Sequence, residues 1–163
     1  QQQIDQSIES NFQTISAVPL DPVSQENSVQ IVNNLLSTSD TNTIVTIREM
    51  KATLLKPYNG STQIEPAPDQ ANQVVTTTLS WILTESVLKP ALGSLYDAAL
   101  GYEHGITPLI DTVFNHSPAM GFIMNPISLN TFEQLHQATL ILPPKSTFFH
   151  PKLPAGLTMR ELH

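Results

Sequence analysis

The sequence predicts a mainly α fold, a small irregular helical bundle over residues 1–142 with a Pro-rich extended C-terminal tail over 143–163. Two observations lead to it. Apolar residues recur at helical spacing in several separate segments, and Asp-Pro or Thr-Pro pairs stand where helices start. The tail follows from Pro143, Pro144, Pro151 and Pro154, which crowd the end of the chain and bar a regular element there.

Taken in order, Ile4, Ile8, Phe12 and Ile15 fall on one helical face, giving an arm-like helix over 4–16. Asp21-Pro22 starts a second helix: Asp accepts from free amides and Pro loses nothing at the first helical position. Val29, Val32, Leu35 and Leu36 are its apolar stripe. Residues 42–56 read two ways. Thr43-Ile44-Val45-Thr46-Ile47 is β-branched enough for a strand, whereas Ile44, Ile47, Met50 and Leu54 fit a helix that Arg48-Glu49-Met50-Lys51-Ala52 favours. The helix is the preferred reading, with a short strand near Val45 or Leu140 as its alternative. Lys56-Pro57-Tyr58-Asn59-Gly60 turns the chain, and Glu65-Pro66-Ala67-Pro68 extends a loop.

A helix from about Asp69 to Leu88 carries Val74, Val75, Leu79, Trp81, Ile82, Leu83 and Leu88, enough apolar circumference to be central. Pro90 ends or kinks it. Leu92, Leu95, Tyr96, Ala99 and Leu100 make the core face of the next helix, which Gly101 closes. Thr107-Pro108 opens another, with Leu109, Ile110, Val113 and Phe114 inward. Ser117-Pro118-Ala119-Met120-Gly121-Phe122-Ile123-Met124-Asn125-Pro126 reads as an apolar loop held between prolines. Asn130-Thr131-Phe132-Glu133 is a capping box for a short helix through His136, and Thr139-Leu140-Ile141-Leu142 is extended.

Composition narrows the function. The chain has 163 residues, 7 Lys+Arg against 14 Asp+Glu, a formal charge of −7, and only 13% charged residues. Ser, Thr, Asn and Gln supply about a third of the chain. Seven scattered cations on an acidic chain do not neutralise a run of phosphates, so nucleic acid is not the expected partner. With no cysteine, thiolate catalysis, disulfides and Cys-based metal sites drop out. A surface kept soluble by hydroxyls and amides rather than ion pairs favours an exported bacterial protein, periplasmic or secreted. No segment has the length and apolarity of a membrane span; 74–88 is broken by Thr76, Thr77, Thr78 and Glu85. Gln1-Gln2-Gln3-Ile4-Asp5 lacks the cationic start and apolar run of a signal peptide.

The motifs that carry chemistry are incomplete. Glu133 and His136 have E-x-x-H spacing, but di-iron bundles need two such pairs and two further carboxylates, so capping is the better account of Glu133. Gly93-Ser94 lacks the strand and second glycine of a nucleophile elbow. Glu85, Asp97 and Glu103 come without the aromatic lining of a sugar cleft. The glycines form neither dinucleotide nor P-loop motifs. No catalytic residue, metal or cofactor is therefore assigned.

What remains is apolar surface on irregular segments. Met120, Phe122, Ile123 and Met124 in the loop, with Phe148 and Phe149 in the tail, are the expected partner-binding residues. The expected function is that of a non-enzymatic, exported structural or assembly subunit. It would be a periplasmic component of an envelope-spanning secretion apparatus of the type IV class, docking on protein subunits that include copies of itself. A secreted effector or adhesin that binds a host protein is one alternative. A secreted hydrolase built on His104 or His116 with a neighbouring acid is the other.

Overall fold

A computed structural model describes residues 2–39, 42–58, 82–116 and 118–126, the backbone at 63–64 and 75–76, and positions 79, 129 and 133. The polar helix α1 (Gln2–Asn11) runs without a linker into strand β1 (Phe12–Pro19). Helix α2 (Gln25–Thr38) is followed by a hairpin of β2 (Ile44–Arg48) and β3 (Lys51–Pro57). Two-residue strands β4 (Gln63–Ile64) and β5 (Val75–Thr76) pair with each other. A π-helical segment α3 (Ile82–Leu88) leads to the short turns α4 (Lys89–Leu92), a 3-10 turn (Gly93–Leu95) and α5 (Tyr96–Ala99). Helix α6 (Ile106–Asn115) and strand β6 (Gly121–Met124) complete the described elements.

The protein is mixed α/β, which overturns the mainly α, all-helical expectation. Its centre is a four-stranded sheet in the order β1-β3-β2-β6, antiparallel throughout. The helix expected over 42–56 is the β2–β3 hairpin. Ile44, Val45, Ile47, Leu54 and Leu55 are all buried, but they divide between the two faces of the sheet. A strand covered on both faces loses the alternation that would reveal it, and its continuous apolar run also satisfies a helical template. The arm-like helix over 4–16 stops at Asn11, because Phe12 turns into the sheet opposite Pro57. The apolar loop at 117–126 contains β6, whose register sets Phe122 opposite Thr46 and Ile123 opposite Val45.

Both faces of the sheet are covered. Phe12, Ile44 and Leu55 share one cluster with Leu79, Ile82, Leu83, Val87 and Leu88, and Ile8 of α1 packs against it. Val45, Ile47, Ala52 and Leu54 share the other with Val32 of α2 and with Ile110 and Val113 of α6. The stripes read for α2 and α6 thus face the sheet, although α2 begins later than expected. Asp21 Oδ1 accepts from the backbone N–H of Val23 and of Ser24, and Ser24 is the residue that caps the helix. The division at 142, Trp81, His136, Thr139-Leu140-Ile141-Leu142, Phe148 and Phe149 lie outside the described residues; of the capping box, only Glu133 is described, and it is exposed.

Candidate functional site

Strand β6 positions most of the expected partner-binding residues. Phe122 and Met124 point to one side and pack against the cluster of Phe12 and Ile82. Ile123 points to the other and packs against that of Val32 and Ile110. Met120, just before the strand, is half-buried. Phe122, Met124 and Ile123 are thus partly buried against the chain's own clusters, on opposite faces of the sheet. Among the described residues, the large apolar or aromatic side chains left exposed are Ile15, Val23, Met50, Tyr58, Leu95, Tyr102 and Leu129.

Two of them, Leu95 and Tyr102, fall close together in the chain, in segment 89–102. Pro90 has no N–H and interrupts the helical ladder, so α4 begins afresh at Lys89. Gly93 then adopts φ +53° and ψ −126°, a conformation open to glycine and strained for other residues. Two breaks so close together leave only single turns, and single turns cannot bury a whole apolar stripe. Leu92, Tyr96 and Leu100 lie on the Phe12–Ile82 cluster, while Leu95 remains 65% exposed and Tyr102 53% exposed.

The two tyrosines bind this surface together. Partial burial, and after it the neighbouring Tyr96 and Asp97, hold the Tyr102 phenol above its ordinary value. Lys89 Nζ sits 5.8 Å over the Tyr96 ring and 2.6 Å from Glu85 Oε1. With Lys89 drawn to Glu85, the exposed carboxylates of Asp97 and Glu103 give the margin of the patch an acidic character. The sequence predicts one helix with Leu92, Leu95, Tyr96, Ala99 and Leu100 inward, between Pro90 and Gly101; the break it does not reveal is at Gly93.

Of the candidates for hydrolytic chemistry, His104 is exposed, and Glu103, His116 and Asp111 have the following partners. Glu103 Oε1 accepts from Thr112 Oγ1 at 2.8 Å, and the His116 ring meets the Thr112 carbonyl at 3.0 Å. Gln25 donates to Asp111 Oδ1. A shallow cleft of about 500 Å³ is lined by Pro19, Leu20, Asp21, Asn27 and neighbours on α2. Its carboxylate, Asp21, accepts at both oxygens: Oδ1 from Val23 and Ser24, Oδ2 from the Asn27 side chain at 3.2 Å. Among the described residues, no three His, Cys, Asp or Glu gather as they would around a metal ion, and no helix is long and apolar enough to cross a membrane. No family model, curated protein or solved structure matches the chain.

Proposed function

We propose that the chain is a non-catalytic assembly subunit that docks on another protein through segment 89–102, with Leu95 and Tyr102 as anchors. The observation that carries this reading is the exposure of these two large side chains on a stretch that Leu92, Tyr96 and Leu100 seat on the core. Tyr96 roots it in the core, and Glu85 holds Lys89 beside it. Apolar and aromatic anchors inside a polar margin are the usual anatomy of a protein-binding patch. The acidic margin of Asp97 and Glu103 calls for a partner with an apolar pocket rimmed by Lys or Arg, and it disfavours a second copy. The amide- and hydroxyl-rich composition supports an exported setting, with an assembly of the bacterial envelope as the partner.

The test places a photo-crosslinking residue at Tyr102 in the source cells, with Val23 as control. Val23 is 93% exposed but stands alone on the turn before α2. A discrete protein adduct at Tyr102, absent at Val23, is expected, and Leu95→Asp abolishes it while changing stability by no more than about 0.5 kcal/mol. Equal labelling at both positions, or an adduct that survives Leu95→Asp, refutes the docking face. A monomer with no adduct returns the reading to a free secreted binder. Phe122→Ser separates the surface from the interior: its half-buried ring leaves the core, and the expected loss is about 2–3 kcal/mol in chemical denaturation.

A further inference from the structure

Helix α1 is fastened differently from the other long helices. α2 buries Ser28 and Val32, and α6 buries Ile110 and Val113, but α1 has no buried residue. Ten residues of this polarity do not hold a helix in water alone. Besides the Asn11 carbonyl, which accepts from the Tyr58 N–H at 3.0 Å where α1 runs into β1, three side-chain attachments hold it in place. Asp5 Oδ1 pairs with Arg48 Nη1 at 2.6 Å, Ile8 lies on the Phe12–Ile82 cluster, and Ser7 Oγ donates to the Ser86 carbonyl at 3.1 Å.

The last attachment depends on a defect in another element. In an α-helix the Ser86 carbonyl would accept from the N–H four residues on, and that residue is Pro90, which has none. The chain passes this point as the π-helical α3, and the hydroxyl of Ser7 reaches across to donate to that oxygen. The oxygen that Pro90 cannot serve thus becomes a catch for α1.

We infer that α1 is a clasp that opens separately from the sheet and, in opening, uncovers the part of the apolar cluster on which Ile8 rests. Once detached, the segment loses its helix, so the clasp has two states, docked and helical or free and unfolded. The surface it uncovers is continuous with the cluster that carries Leu92 and Tyr96, and its existence does not depend on what segment 89–102 binds.

Hydrogen exchange on the full chain tests the clasp, with anilinonaphthalene sulfonate fluorescence as a probe of bared apolar surface. Amides of 2–11 are expected to exchange faster than those of 44–57. Pro90→Ala leaves the sequence of α1 intact but returns an N–H to the Ser86 carbonyl, so it weakens the catch from outside. It should speed exchange at 2–11 by about two- to tenfold and raise dye binding, with 44–57 unchanged. Asp5→Asn should act in the same direction. Ser7→Ala is the weaker test, because alanine also improves the helix. Exchange at 2–11 that matches 44–57, that ignores both Pro90→Ala and Asp5→Asn, or that accelerates only together with 44–57, overturns the inference.

Discussion

Gly121 shows how closely one residue can set the approach of a helix to the sheet. A Cβ placed there would stand 3.1 Å from Val113 Cγ2 and 3.2 Å from Leu109 Cδ2 and Cγ, all on α6. Val113 is itself buried, so it has little room to yield. Gly121→Ala is therefore expected to destabilise by about 1–2 kcal/mol, despite the entropic gain of replacing a glycine, and the urea midpoint will report it. Asp21 acts through charge instead. The N–H groups of Val23 and Ser24, and then the Asn27 side chain, hold its carboxyl below the ordinary value of 3.8. A carboxyl whose folded pKa is depressed contributes its full stabilisation above the unfolded pKa and loses it as pH falls through the folded one. Unfolding free energy followed from pH 7 downward should accordingly fall less steeply in the acid limb for Asp21→Asn than for the native chain.

At the scale of an element, the β2–β3 hairpin is the part of the fold the sequence hides most thoroughly. Its two-residue loop carries Glu49 at φ +48° and Met50 at φ +58°, where tight hairpins ordinarily place Asn and Gly. Glu-Met is no turn signal, and it sits inside a run of good helix formers, so local propensity pointed to a helix. A tertiary bond holds the turn, the Leu20 N–H donating to the Met50 carbonyl at 2.7 Å, and next to it the Arg48 guanidinium meets its neighbour Glu49 at 3.0 Å. The left-handed backbone still has a cost at both positions. The double variant Glu49→Asn, Met50→Gly should raise stability by about 1–2 kcal/mol, seen as a higher denaturant midpoint at unchanged slope. The stripes of α2 and α6 were legible for the opposite reason: each has one covered and one wet face, so pattern and burial agree.

Across the whole molecule, the sheet is guarded unevenly. β1 is an edge whose register slips between Thr14 and Ser16, leaving Ile15 as the extra residue, and it ends in Pro19. Bulges and prolines discourage pairing with foreign strands. The candidate site was only partly readable. Phe122, Ile123 and Met124 stood out as apolar residues between prolines, but periodicity over so few positions does not distinguish a greasy loop from a short strand. Leu95 was hidden by the opposite error, since helical spacing marks a stripe without saying whether anything lies against it, and Tyr102 falls beyond the Gly101 that closes the stripe.

The order β1-β3-β2-β6 also has a temporal side. β2 and β3 can zip as soon as both have left the ribosome, but the other flank of β2 waits for β6, which is made only after α3 through α6. Throughout that interval Ile44, Val45 and Ile47 stand beside a row of unanswered amides and carbonyls, the kind of template on which nascent chains stick to one another. Synthesis that stalls before Gly121 would release a sticky fragment, and a chaperone or a fast ribosome over this stretch would matter more to yield than the stability of the finished protein.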